Sequence, residues 1–353
     1  MRWKLVVRLL VVVALNCLWG GLASAQTAPL QPSGCYLYLT ANDLGVDLGN
    51  PPPPGAVLVY QNTVPGLEGL SVYRVTDPTC PPPAAPSETC PICGTGKPTG
   101  GAPISLVSGN TFIEETDVRI PGLSSGLTLS RTWNSKWPPT QAALQVGLFG
   151  PNWRSTFEER VFVGSDSYVK YARSDGSFWS FACSSWSVCG LVAPATVKAT
   201  LIANGSYTYW TLTFQNGEQR IFNYTSGSLT SITDRNGNVT QLSYDALNRL
   251  ITVADPGGRH LYFSYGSGSS YLITGVTSDV GISLSYAYDT QGRLTQVTKP
   301  DLTTLSFAYN SNSLITAVTD SAGKVLESHT YDSQGRGLTS SRANGVEGVT
   351  VSY

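Results

Sequence analysis

The sequence predicts an all-β protein: an antiparallel, Trp-rich β domain followed by a curved or spiralling repeat sheet. Three observations carry this. Tyrosines at positions 224, 244, 265, 288, 309, 331 and 353 recur at steps of 20, 21, 23, 21, 22 and 22 residues, a period that marks a repeat array. Gly, Ser, Thr, Tyr, Asn and Val dominate while helical Ala-Leu-Glu runs are scarce, the composition of strands and turns. Between turn residues the apolar positions alternate with polar ones, the period of a half-buried strand.

Taken in order, residues 1–25 read as a secretory signal peptide: Arg2, Lys4 and Arg8, an apolar run over residues 9–18, then Ala23, Ser24 and Ala25. Cleavage is expected after Ala25, and no membrane span is expected beyond it. Residues 26–102 hold PPPP at Pro51, PPPAAP at Pro81 and GTGKPTGG from Gly94. Proline removes a donor and fixes its own torsion, so this is an irregular entry segment with one short strand pair around AVLVY and LSVYRV. Residues 103–204 turn to short alternating runs separated by Gly, Asp and Asn, which read as hairpins, with Trp133, Trp137, Trp153, Trp179 and Trp186 to supply a core. Residues 205–353 are the repeat array. It opens on YWTLTFQNGEQRIFNY, where Asn216-Gly217 suggests a two-residue turn with positive φ at both positions.

Six cysteines follow the signal: Cys35, Cys80, Cys90, Cys93, Cys183 and Cys189. An even number in an exported chain argues for disulfides, and six allow 15 connectivities. Cys183 and Cys189, flanking SSWSV, form the pair that needs no long-range assumption.

Within the array, YDALNRL, YDTQGRL and YDSQGRG share a local logic. Tyr244, Tyr288 and Tyr331 end a strand. Asp245, Asp289 and Asp332 then accept backbone N–H bonds and start a turn. Asn248, Gly292 and Gly335 take the left-handed conformation that closes it. Arg249, Arg293 and Arg336 begin the return strand within reach of the Asp or of a neighbour's carbonyls, and Leu250 and Leu294 point inward. Arg336 is followed by Gly337, so the last copy loses that leucine. Tyr224 and Tyr309 reach their leucine one residue early without Asp or Arg, and Tyr265 leads into GSGSSYLIT. One unit buries too few side chains to offset the entropy of ordering its backbone, so units must share strands and faces.

These strings resemble the YD repeats of the Rhs family, which extend to teneurins and insecticidal toxin-complex shells. The preceding ISLVSGNTFIEETDVRIPGLSSGLTLSRTWNS and GLFGPNWRSTFEERV are similar to the uncharacterised domain that commonly precedes such repeats. Together the two cover about residues 103–353. The resemblance implies a β-sheet wall. Members that enclose a cargo have many more repeats, a self-cleaving core segment and a C-terminal toxin, and neither of the last two is seen here, so closed encapsulation does not carry over to this chain by itself.

Formal net charge is -1 and 13% of residues are charged, so no electrostatic field favours nucleic acid. The candidate chemistry reads mostly as structure. His260 and His329 lie in strand-like segments and read as satisfied or exposed strand residues. GLSSG at Gly122 matches a nucleophile string but has hairpin context and no following helix. Glu114-Glu115 and Glu158-Glu159 alternate faces as strand neighbours and read as solvated edges rather than paired carboxylates. CGTGKP at Cys93 misplaces the first glycine of a phosphate loop and puts Pro98 at its Ser/Thr position. Cys90-Pro-Ile-Cys93 lacks the partners zinc requires, and Asp234-Arg-Asn-Gly-Asn238 lacks a closing Glu for calcium.

The expectation is therefore a secreted or cell-surface, non-enzymatic scaffold without cofactor or metal, the N-terminal portion of an Rhs-type toxin-delivery or surface protein. Its partners would be further repeats or a cargo polypeptide, with self-association through an open C-terminal sheet edge. The alternative is a carbohydrate-binding module using exposed aromatic rows, and a secreted hydrolase stands third.

Overall fold

The computed structural model describes residues 36–41, 56–61, 70–75, 99–136, 146–164, 168–183, 188–193, 197–268 and 270–353, with side chains only from residue 99 onward. Helical structure among these residues is confined to the 3-10 turns Leu123–Ser125 and Ala343–Gly345. Residues 1–25, expected to be a signal peptide, and Trp137, Trp186, Cys35, Cys80, Cys90 and Cys93 lie outside the described residues.

In the entry segment the two anticipated strands, Ala56–Gln61 and Leu70–Val75, pair antiparallel, and a third strand, Tyr36–Ala41, adds to the other side of Leu70–Val75. That third strand was not anticipated, although YLYLTA is as long as the two strands that were.

A small three-stranded sheet follows. Phe112–Ile120 and Leu127–Asn134 form a hairpin, and Trp153–Ser155 pairs with the second strand so that Trp153 faces Trp133. Trp133 and Trp153 are completely buried. The GLSSG string is this hairpin's tip.

From Arg160–Val163 to Val349–Thr350 the chain is one 19-stranded antiparallel sheet in strict sequence order. The sheet crosses residue 204 without interruption. Alternation selects its inner face: in His260–Tyr265, Leu261 and Phe263 are buried and Tyr262 is exposed. Cys183 and Cys189 are cross-strand partners and form a disulfide with Cα atoms 3.8 Å apart.

The sheet curls. At each tyrosine-ended hairpin the register slips by one residue, as between Ala287 and Tyr288, and such bulges bend and twist a strand pair. At its first edge the curl brings Arg160–Val163 against the turn at residues 226–228: Val161 N–H donates to Gly227 O at 2.9 Å, and Arg160 bridges to Ser228. A Cβ at Gly227 would collide with the Val161 carbonyl, and its φ is 70°. Glycine is required there twice over.

The Asn216-Gly217 hairpin forms with a different turn. Only Gly217 has positive φ, Gly217 N–H donates to Phe214 O, and Phe214 N–H donates to Glu218 O. This is a three-residue connection closed by a left-handed glycine, which suits the bulged geometry repeated along the sheet. The same closure recurs at Gly237, Gly258, Gly292, Gly323 and Gly335.

Candidate functional site

The spacing of the tyrosines has a cause that lies between units. From Tyr244 onward each hydroxyl donates to the backbone carbonyl at the head of the preceding return strand: Tyr244 to Leu229 at 2.6 Å, Tyr265 to Leu250 at 2.7 Å, Tyr288 to Ile273 at 2.7 Å. Tyr309 bonds Leu294 at 2.8 Å, Tyr331 bonds Ile315 at 2.6 Å and Tyr353 bonds Gly337 at 2.9 Å. The ladder tyrosines Tyr244, Tyr265, Tyr288 and Tyr331 are held well above the ordinary phenol pKa and Tyr309 at about 12, burial being the largest cause. They remain neutral donors across the physiological range.

The rest of the motif sets the turn and reaches forward. Asp289 Oδ1 accepts the N–H groups of Gln291 and Arg293, and its Oδ2 accepts Arg293 Nε at 2.6 Å. Asp245 and Asp332 do the same with Arg249 and Arg336. Asn248, Gly292 and Gly335 close these turns with φ of 59°, 74° and 76°. All three carboxyls are held below their ordinary pKa. At Asp245 the Arg249 amide is the largest cause; at Asp289 and Asp332 partial desolvation opposes, and bonds from the amides and guanidinium outweigh it. The guanidinium then covers the next tyrosine ring: Arg249 over Tyr265 at 4.8 Å, Arg293 over Tyr309 at 4.9 Å, Arg336 over Tyr353 at 4.1 Å. Tyrosine thus ties a unit backward and arginine ties it forward. Leu250 and Leu294 are buried between them.

The degenerate copies keep this geometry with other residues. Asn310 Oδ1 accepts the N–H groups of Asn312 and Leu314, and Ser313 takes φ 60°. Leu314 therefore occupies the arginine position and Ile315 is the inward residue, a correction to counting Leu314 as an early leucine. At Tyr224 the turn starts one residue sooner, on Asn223, whose Oδ1 accepts the amides of Thr225 and Ser226.

The small N-terminal sheet covers the inner face of the array, and the segments flanking it dock by main chain at two of the irregular copies. Ile273, after the GSGSSYLIT loop, donates its N–H to Leu148 O at 2.9 Å; Gly337 donates to Gly109 O at 2.8 Å. The leucine missing at Gly337 is no vacancy: Ile104 and Thr111 fill its place.

At the centre of the contact stands Arg131, fully buried. Its guanidinium is paired with Asp117, Nε to Oδ2 at 2.5 Å, and lies 4.7 Å from the Trp153 ring centroid and 5.9 Å from that of Phe307. Tyr286 donates its hydroxyl to Asp117 Oδ2 at 2.9 Å, from the sheet to the hairpin. Burial alone would lower the Arg131 pKa, but the Asp117 charge and hydrogen bonds outweigh it and hold it above its ordinary value. Trp153 meets Phe307, and Phe149 meets Tyr286, edge to face. Sequence reasoning missed this junction. Its one local signal is Tyr286, polar at the position two before the ladder tyrosine where Leu242, Phe263 and Phe307 stand.

Two expectations about acids fail. Glu159 is buried and the Glu158 side chain is only 8% exposed, so neither carboxylate is solvated. Glu158 accepts the Leu148 N–H at 2.6 Å and the Ser155 hydroxyl at 2.7 Å and stands 4.0 Å from Arg154; Glu159 pairs with Arg220 at 3.0 Å. Burial raises both carboxyls above their ordinary pKa, and it lowers Arg154 to about 10. Glu114 is exposed and Glu115 intermediate. His260 is half-buried and pairs with Asp279 at 3.0 Å. His329 is neither satisfied nor exposed: it is 3% exposed, with no hydrogen-bond partner at either ring nitrogen, and its Nε2 lies 3.5 Å from Glu327. It takes the inward position that Phe307 takes one unit earlier. Among the described residues no group of three metal-ligating side chains forms. Asp234 spends its carboxylate on the amides of Asn236 and Asn238 and on the Asn238 side chain.

Family models match residues 101–181 as a domain of unknown function (DUF6531) and residues 225–260 and 272–304 as the RHS Repeat. The chain carries RHS repeats preceded by a DUF6531 domain. Both matched repeat segments lie on the tyrosine ladder, and the DUF6531 match contains Asp117, Arg131 and Trp153. No curated protein matches the chain. Among solved structures it is similar to the TcdB2-TccC3-Cdc42 crystal structure, at 14% identity over 55% of this chain and 12% of that one, with a TM-score of 0.28. It is also similar to TcdB2-TccC3 without its hypervariable C-terminal region, at 13% identity over 63% of this chain and 14% of that one, with a TM-score of 0.28. A Photorhabdus luminescens Tc holotoxin pore matches at 12% identity over 70% and 14%, with a TM-score of 0.25. The chain spans about an eighth of the length of these chains.

Proposed function

We propose that this chain is an exported, non-enzymatic scaffold, the N-terminal portion of an Rhs-type surface or toxin-delivery protein whose repeats build a β-sheet wall. The observation that carries this reading is the ladder of tyrosine hydroxyls, each spent on the carbonyl of the unit before it. Chemistry-bearing groups elsewhere are spent the same way: the motif aspartates hold turns, the motif arginines cover rings, Glu158 holds the Leu148 amide and Ser155 within the N-terminal domain, and Glu159 pairs with Arg220 of the sheet. Such a wall accepts further repeats or a cargo polypeptide along its length, and its last strand accepts added strands.

Two measurements test this. The secreted protein should begin at Gln26, and it should show no turnover above a blank on glycoside, ester and peptide substrates. Reproducible turnover abolished by substituting a single buried acid contradicts the scaffold reading.

A second reading, carbohydrate binding, draws on one feature of the outer face. Tyr262 is 42% exposed and stacks on His260 with ring centroids 5.7 Å apart, a flat surface of the kind sugars stack on. Glycan-array binding that disappears in Tyr262→Ala favours this reading over the scaffold.

A further inference from the structure

The unit at Tyr331 turns a polar inner face to the N-terminal domain. In the unit before it Leu305, Phe307, Ile315 and Val318 are buried on that face, and the matching positions here hold Glu327, His329, Gly337 and Ser340. Residues 101–111 lie over them. Ser340 donates its hydroxyl to Ala102 O, Gly337 donates its N–H to Gly109 O, and Ile104 and Thr111 stand above Gly337. His329 is directly across the strand pair from Ser340, and its side chain has no exposed surface.

The bonding beneath this segment is unfinished. His329 Nε2 and Glu327 Oε2 are 3.5 Å apart, yet neither atom, nor His329 Nδ1, has a hydrogen-bond partner, and all three are buried. Buried polar atoms are paired almost everywhere in native proteins, so adjacent orphans demand a cause. A neutral imidazole carries one donor and one acceptor, whereas an imidazolium carries two donors. Glu327 offers an acceptor. The Ser340 oxygen offers a second, because its hydrogen is spent on Ala102. Two acceptors suit the imidazolium, and the bare nitrogen of a neutral ring is satisfied by these groups only if it draws the Ser340 hydrogen away from Ala102.

The surrounding charges favour the same state. Glu115 of the hairpin feels Glu327, Lys299, Arg131 and Asp117. Arg131 is spent on Asp117, and Arg342, across from Glu327, is spent on Glu347 at 2.9 Å. Tyr331 is a phenol bonded to Ile315. Glu115 and Glu327 therefore outnumber Lys299 around the ring, and a cation there is welcome.

We propose that His329 is a proton-operated catch for residues 99–111. Charged, it donates to Glu327 and Ser340 and leaves the Ser340 hydroxyl on Ala102; neutral, it competes for that hydroxyl and frees the segment. The segment is held more tightly in mildly acidic solution than at neutral pH, across the range in which histidine side chains change charge. This goes beyond the scaffold reading: it gives the wall a cover whose attachment responds to protons.

Hydrogen exchange of the mature chain at about pH 5.5 and 7.5, corrected for the intrinsic amide rate at each pH, tests this. The readout is the protection of residues 99–111 and of the Gly337 amide, divided by that of the strand Leu294–Thr298, so that a change in overall stability does not register. The ratio should be about three- to tenfold higher at the lower pH, the worth of one net hydrogen bond. His329→Phe, which copies Phe307, and His329→Gln should each give the same ratio at both pH values. His260→Asn should keep the parent's difference. A parent ratio that is equal at both pH values or higher at neutral pH overturns the proposal, and so does a difference that survives either His329 substitution or is lost in His260→Asn.

Discussion

The hydroxyl of Tyr288 donates to the carbonyl of Ile273, fifteen residues back and across one hairpin, at 2.7 Å. Ile273 is also the residue whose N–H is taken by Leu148 of the N-terminal domain. One residue therefore joins a repeat unit, its successor and the domain that covers both. Perturbing either bond should be felt in more than one place.

The last motif copy gives the least intuitive test. Gly337→Leu restores the family pattern, yet Ile104 and Thr111 already fill that space. Overpacking costs about 1–3 kcal/mol, so the variant should unfold at lower urea and should release residues 99–111 to protease. Leu294→Ala, which empties a regular inward site, should cost about 2–5 kcal/mol without that release.

Arg131→Met should be among the most damaging substitutions, because it strands the buried Asp117 carboxylate. Removing one partner of a buried pair costs about 3–5 kcal/mol. Adding Asp117→Asn should recover part of the loss, since the amide still accepts the Tyr286 hydroxyl. Chemical denaturation of both single variants and the double variant measures the coupling; strict additivity contradicts the pairing.

Stability should peak in mildly acidic solution. Glu158 and Glu159 have raised folded pKa values from burial, so the folded state binds their protons more tightly than the unfolded one. Their contribution is therefore lost as pH rises from the ordinary carboxylate range through the folded values. Asp245, Asp289 and Asp332 are lowered, and the stability they add is lost as pH falls through their folded values. Denaturation midpoints should be highest near about pH 5, and Glu158→Gln should flatten the alkaline side. A midpoint that climbs steadily to neutral pH contradicts this assignment.

The array was legible in the sequence because its signals are local. Tyrosine period, the Asp-to-Gly turn and the inward leucine all fall within one unit, and Cys183 and Cys189 lie at opposite ends of one hairpin. What escaped was set by partners distant in sequence. Arg131 meets Tyr286 only after the sheet curls around the hairpin, and no spacing announces that Ile104 fills the space above Gly337. Glu158 and Glu159 read as adjacent strand residues on a solvated edge, whereas they lie in the connection between the strands Trp153–Ser155 and Arg160–Val163, and their partners Leu148 and Arg220 are distant in sequence. The Asn216-Gly217 turn was read by its strongest two-residue precedent, whereas the strongly curved sheet uses a three-residue closure with a single left-handed glycine.

The ladder itself is tested most directly by comparing two tyrosines under denaturant. Tyr288→Phe leaves the Ile273 carbonyl without its donor and should cost about 1–2 kcal/mol. Tyr262→Phe, on the exposed outer face, should stay within about 0.5 kcal/mol of the parent. Equal effects from the two substitutions would contradict a sheet whose units are tied together by tyrosine hydroxyls.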